Sequence, residues 1–187
     1  VLVEIEYNGF KINSITFDEL HERYRKSIYD NEYKLKLLLG EINLNSNIQL
    51  RDKLYKELKL PVLVRTEKGQ ASCNEAALLA LKGTRLDKKQ KEIIDSLLEF
   101  RTAEKLYSVY LEGLKNNNLI KRDGKVHCNY KLHGTVTGRL SCADPNLQNI
   151  PRAGDIKKMF SSRWKDGVIV QVDYSQMELR VMAHYAN

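Results

Sequence analysis

An aspartate closes an apolar run near the end of the sequence, in Gly167-Val-Ile-Val-Gln-Val-Asp173-Tyr-Ser-Gln-Met-Glu178. The β-branched residues Val168, Ile169, Val170 and Val172 predict a short buried strand. Ser175 and Glu178 stand at capping-box spacing, and Leu179, Met182 and Ala183 follow at helical intervals, so a strand is expected to turn sharply into a helix at Asp173. A carboxylate there is well placed to hold a divalent cation, because the strand fixes its oxygens while the strand end opens to a cleft. The same carboxylate can instead cap the helix that follows. The residues alone leave both readings open.

The elements that must position this turn are mostly helices. Thr16-Phe-Asp-Glu19 is a capping box, and Leu20, Tyr24, Ile28, Leu35, Leu38 and Leu39 repeat at helical spacing until Gly40. Ser46-Asn-Ile-Gln49 opens a second helix that ends before Pro61, and Ser72-Cys-Asn-Glu75 opens a short third one that ends at Gly83. A fourth, from Lys88 to Lys115, is marked by Ile94, Leu97, Leu98, Leu106 and Leu114. The character changes at Asn116-Asn-Asn118. After the Asp123-Gly124 turn, Val126, Cys128, Tyr130 and Leu132 alternate as in strands. Val3, Ile5 and Tyr7 also alternate before Asn8-Gly9. The fold class expected is α+β.

Composition narrows the function. The chain has 187 residues, enough for one respectable core or two small ones, and a net charge of +7. That charge suits a polyanionic partner, although a solvated basic surface would look the same. Cys73, Cys128 and Cys142 are odd in number, widely separated and without paired metal-ligand spacing, so reduced thiols in a cytoplasmic setting are expected. No apolar run approaches the roughly 20 residues of a membrane span. The first residue is Val, which suggests an excised fragment and leaves targeting signals unreadable.

Two segments carry a family resemblance. Asp173-Tyr-Ser-Gln-Met-Glu-Leu-Arg180 closely resembles the palm motif of family A DNA polymerases, the group of bacterial DNA polymerase I and several phage replicases. Thr135-Val-Thr-Gly-Arg-Leu-Ser-Cys-Ala-Asp-Pro-Asn-Leu-Gln-Asn-Ile-Pro151 resembles the same family's primer-gripping segment, in the family's order and at about its spacing. Weaker similarity runs back almost to Val1. The resemblance implies a segment at the palm base over 1–15, a helical thumb over 16–115, and the first strands and helix of a palm over 116–187. It also implies that the first residues are the end of a helix rather than a strand.

By that resemblance Asp173 ligates both catalytic Mg²⁺ ions, with the backbone carbonyl of Tyr174 completing its share of the site. The family's second metal-binding Asp lies in a later His-Asp-Glu motif, and neither that motif nor the family's fingers helix is found in these 187 residues. Ser175 and Gln176 are expected to shape the nucleotide pocket, and Glu178 to act as the steric gate that selects deoxynucleotides. As a helix cap, Glu178 would simply partner Ser175. Arg180 and His184, one turn apart, are expected to tie the palm together, and His127 to be structural.

Arg139 is expected in the minor groove at the primer terminus, with Asn146, Gln148 and Asn149 on the duplex nearby. That is physically apt. Minor-groove acceptors recur at every base pair, and amides both donate and accept. Arg101 and Lys105, four apart, match the family's Arg-x-x-x-Lys-Leu and should face the primer strand. Asn45 and Ser46 resemble the thumb's backbone-gripping loop, where helix N–H groups bind phosphate, and capping explains them equally well. Cys142 replaces the family's second Ser, and Asn47 stands where some relatives carry Arg. The segment holding Arg152, from Pro151 to Phe160, is shorter than in bacterial polymerase I and looks phage-like.

The reading is of a chain that grips primer-template DNA and supplies one metal carboxylate to deoxynucleotide transfer, with the fingers and C-terminal palm as partners. The alternative is a separately encoded, non-catalytic DNA-binding half of a split polymerase that needs a partner chain. Val181, Met182 and Tyr185, uncovered on the last helix, favour truncation or a covering partner.

Overall fold

Two long helices carry the fold in the computed structural model, which describes residues 1–151 and 154–186. Helix α1 spans Leu2–Asn8, and strand β1, Phe10–Ile12, follows it. Helix α2 runs over Ser14–Leu39. Helix α3, Asn47–Arg51, continues as a π-helical segment, Asp52–Glu57, and α4 is Glu75–Lys82. Helix α5, Lys88–Leu106, runs through a second π-helical segment, Tyr107–Glu112, into α6, Gly113–Asn116. Together these last pieces are the expected fourth helix.

Side-chain caps explain where the helices begin. Asn13 accepts from the Thr16 N–H at 3.1 Å, so α2 starts ahead of the expected Thr16 box. Ser46 caps α3 as expected, accepting from Gln49 N–H at 3.5 Å. The cap of α4 is Asn74, which accepts from Ala77 N–H at 2.9 Å, and Ser72 Oγ accepts from Asn74 N–H at 3.3 Å instead. Asp87 and Gln90 form a full capping box on α5, with bonds of 2.7 and 3.1 Å. Gly40 and Gly83 end α2 and α4 as read.

Helix α2 packs along α5 and over two apolar cores. One gathers Leu35, Leu50, Leu54, Leu78, Ile94 and Leu97, all buried. The other joins Phe17 and Leu20 at the start of α2, Leu111 and Leu114 after α5, and Val126, Ile156 and Met159 from the strand-bearing part. Residues far apart in sequence thus close the second core.

The sheets are small. Strands β2, Lys125–Val126, and β5, Phe160–Ser161, flank β1 antiparallel, with Phe10 opposite Val126 and Ile12 opposite Phe160. A hairpin pairs β3, Asn129–Lys131, with β4, Ser141–Ala143, placing Tyr130 opposite Cys142. The alternation from Val126 holds through the buried Cys128, while Leu132 is exposed. The three cysteines are free and buried. Among the described residues no helix is long and apolar enough to cross a membrane.

Two local readings are overturned. The alternation of Val3, Ile5 and Tyr7 is not a strand but helical, in α1, as the resemblance implied, with Val3 and Tyr7 exposed. The β-branched run before Asp173 joins neither sheet, and Val168, Val170 and Val172 are 80%, 77% and 84% exposed. β-propensity makes a strand only where a ladder partner and a covering face exist. No described strand of this chain pairs with the run. Helix α7, Met177–Ala186, follows with no buried residue.

Candidate functional site

The basic face of α5 and the polar segment after β4 meet in a cleft. Asn146 Oδ1 accepts from Gln148 N–H at 3.1 Å and so starts a 3₁₀ turn, Leu147–Asn149. Tyr110 OH donates to Asn149 O at 2.5 Å, which pins this turn to the π-helical continuation of α5. The result is an open cavity of about 490 Å³ lined by Lys105, Tyr110, Asn146 and Asn149 among others. A second, of about 280 Å³, has Arg101, Thr102, Lys105 and Pro151 in its wall. Lys105 lines both. Lys105 thus shares one cavity with Asn146 and Asn149 and the other with Arg101.

Arg101 differs from Lys105 in its commitments. Its guanidinium donates to the Cys73 carbonyl, which ties α5 to the loop before α4, whereas Lys105 is exposed. The loop before α3 also reaches α5, because Asn45 Nδ2 donates to Glu104 Oε1 at 2.7 Å. Asn45 thus spends a donor inside the protein, and Ser46 spends its hydroxyl on the α3 cap. Gln148 faces a different cavity, of about 420 Å³, shared with Tyr130, Phe160, Ile169 and Gln171. That cavity leads from the 3₁₀ turn to the run that ends in Asp173.

Around Asp173 the local geometry departs from expectation. The Ser175–Glu178 capping box is absent, because α7 begins at Met177 after Gln176 at φ 51°. Ser175 O accepts from Arg180 Nε at 3.0 Å, and Glu178 pairs with Arg139 from the hairpin loop. Asp173 and Tyr174 are exposed. Among the described residues no three His, Cys, Asp or Glu side chains group to hold a metal ion. The carboxylate of Asp173 and the carbonyl of Tyr174 suit a hard divalent cation as part of an oxygen set. Arg152 lies outside the described residues.

His127 is structural, as read: Nδ1 is 2.7 Å from Glu6 O and Nε2 is 3.2 Å from Asp123 Oδ2. A second polar cluster escaped the sequence reading. Glu112, on the π-helical segment, accepts from Tyr107 OH at 2.7 Å, from His21 Nε2 at 2.8 Å and from the Asn116 amide. The Tyr107 bond, then the His21 bond, holds the Glu112 carboxyl below its ordinary range. Burial, then the bond to Glu112, pushes Tyr107 up to about 12. The available signal was a His at a helical core position, four residues after Phe17 and next to Leu20.

Comparison with known proteins supplies the family. Residues 14–187 match the model of DNA polymerase family A. The chain is 37% identical over 191 residues to DNA polymerase I of Helicobacter pylori, across all of this chain and 20% of that one. It is 40% identical over 156 residues to the DNA polymerase of Bacillus phage SP01, across 78% of this chain and 16% of that one. The chain therefore spans only a fifth or less of the length of these relatives. Its fold is similar to the POL domain of Pol1 from M. smegmatis in complex with DNA primer-template and dNTP, with a TM-score of 0.79 and 30% identity over 98% of this chain and 32% of that one. The chain belongs to DNA polymerase family A.

Proposed function

We propose that this chain is the thumb and first palm segment of a DNA-directed DNA polymerase, which grips primer-template DNA and contributes one carboxylate to deoxynucleotide transfer. The observation that carries the reading is the cleft that unites Lys105 of α5 with Asn146 and Asn149 of the primer-grip segment. Its match along 98% of its length to a polymerase domain described with primer-template and dNTP supports the same assignment. The thumb is residues 16–115, the palm segment 116–187, and 1–15 sits at the palm base.

Each part has a physical task. Lys105 and Arg101 meet primer-strand phosphates, and Asn45, Ser46 and the start of α3 meet the backbone farther along. Asn146, Gln148, Asn149 and Arg139 follow the minor groove, where acceptors recur whatever the sequence. Asp173 and the Tyr174 carbonyl are this chain's share of a two-metal Mg²⁺ site. When bound, such ions activate the primer hydroxyl and neutralise charge on the triphosphate. Ser175, Gln176 and Glu178 border the nucleotide. The exposed apolar side chains Val168, Val170, Val172, Leu179 and Met182 fit against the fingers and remaining palm, whether these are covalently continuous or supplied by a partner chain.

Titration of a labelled primer-template with the 187-residue chain at several salt concentrations tests the binding role. Phosphate-led binding weakens with salt by a log–log slope of about −0.9 per phosphate neutralised and ignores base sequence. Affinity that ignores salt, or that depends strongly on sequence, contradicts it. Primer extension tests the catalytic share: the 187 residues on their own hold one carboxylate of the set and should not extend a primer above an Asp173→Ala control.

A further inference from the structure

Arg139 and Glu178, 39 positions apart in sequence, form an ion pair between the loop joining β3 to β4 and the first turn of α7. The loop fixes the arginine backbone: Thr135 Oγ1 donates to Arg139 O at 2.6 Å, and Gly138, at φ 71°, turns the chain just before it. The helix is held far less. Its residues are all exposed, and among the described residues its other side-chain contacts are local, Arg180 Nε to Ser175 O and His184 edge-on to Tyr185.

We propose that Glu178 is a self-supplied anion that occupies Arg139 in the free chain, so that duplex DNA and Glu178 compete for one guanidinium. The proposal rests on the reading of Arg139 as a primer-duplex contact. The side chains are 72% and 68% exposed, so solvent screens the pair and leaves it weak enough for a polyanion to break. While it is closed, the arginine charge is cancelled at the surface that must meet DNA. Opening it restores that charge and releases the carboxylate in the same event. Coupling between binding sites is reciprocal: whatever factor Glu178 takes from DNA affinity, bound DNA takes from the Arg139–Glu178 pair. Duplex binding therefore delivers Glu178 in its unpaired form to the nucleotide side of the site.

The test is a double-mutant cycle on primer-template affinity of the 187-residue chain, using wild type, Glu178→Gln, Arg139→Ala and the double variant at one salt concentration. Competition predicts that Glu178→Gln tightens binding about two- to fivefold in the wild-type background, the range an exposed ion pair allows, and leaves it unchanged when Arg139 is already Ala. Equal tightening in both backgrounds means that Glu178 acts only through general charge, and the proposal falls while the DNA interface stands. A wild-type chain that does not bind primer-template at all removes the interface and the competition together. Arg139→Lys should keep part of the Glu178→Gln effect, since a shorter cation still pairs. No effect in that variant, with none in wild type, also overturns the proposal.

Discussion

Gly9 faces His127 so closely that a Cβ on the glycine would stand 2.7 Å from Cε1 and 2.8 Å from Nδ1 of the imidazole. The ring has little freedom to withdraw, because Glu6 O and Asp123 Oδ2 hold its two nitrogens. Gly9 also sits at φ 60°, ψ −175°, a region that only glycine enters at little cost. Gly9→Ala should therefore destabilise the chain by roughly 1–3 kcal/mol, through overlap and backbone strain together. A shift in urea midpoint with an unchanged slope is the expected signature. His127→Ala in the same chain should recover the overlap share alone. A neutral Gly9→Ala would show that the β1 junction yields.

Arg101 and Lys105 look alike in sequence and should separate in experiment. Arg101 satisfies the Cys73 carbonyl, whereas Lys105 is exposed where the two cavities meet. Removing the Arg101 partner leaves a carbonyl unpaired beside the buried Cys73, which costs about 1–3 kcal/mol. Arg101→Ala should lower the unfolding midpoint, and Lys105→Ala should leave it within about 0.5 kcal/mol of wild type. On DNA, Lys105→Ala should reduce the salt slope by about one. Equal stability losses in both variants would remove the distinction.

How much of this was legible in the sequence depends on the range of the physics involved. Ser46, Gly40 and Gly83 mark helix ends because caps act within a turn or two, and the apolar repeats of α2 and α5 reveal their buried faces for the same reason. Local spacing misleads where a distant group competes. Glu178 has capping-box spacing from Ser175, yet it pairs with Arg139. The run from Val168 to Val172 has strand propensity and no ladder. The Glu112 cluster joins residues 91 positions apart, so no spacing rule exposes it. Lys105, Asn146 and Asn149 lie in separate stretches of the sequence, and their common cleft is a consequence of Tyr110 pinning the 3₁₀ turn.

Acid should loosen the base of the long helices. Glu112 is ionised more readily in the folded chain because Tyr107 and His21 donate to it, and Asp155 is held below its ordinary range by Lys158 and Arg23 at 2.7 and 2.8 Å. A folded-state carboxylate pKa below the unfolded one stabilises above the unfolded value, and that stability is lost as pH falls through the folded value. Urea midpoints should therefore hold level from neutral pH to roughly pH 5 and decline below it. Glu112→Gln should flatten part of the decline. A midpoint that rises on acidification would contradict the assignment.

Sugar selection in the complete polymerase gives the sharpest separation between two residues of the palm motif. Under the proposed function, Glu178 borders the 2′ carbon of the incoming nucleotide, and Asp173 belongs to the metal site. A 2′-hydroxyl would overlap the Glu178 stem or displace its hydrogen bonds, and a clash or an unpaired carboxylate costs roughly 1–3 kcal/mol. Each 1.36 kcal/mol is about tenfold in rate, so this side chain should reject ribonucleotides by about one to two orders of magnitude. Glu178→Ala should raise kcat/KM for ribonucleotides by that factor, whereas Asp173→Ala should abolish incorporation of both sugars. Single-nucleotide incorporation with matched ribo- and deoxynucleotides measures the ratio. Because Arg139 holds Glu178 in the free chain, Arg139→Ala is the necessary companion. It should weaken primer binding while leaving the sugar ratio at saturating DNA unchanged, since bound duplex has already separated the pair. A sugar ratio unmoved by Glu178→Ala would leave Glu178 as the partner of Arg139 and nothing more.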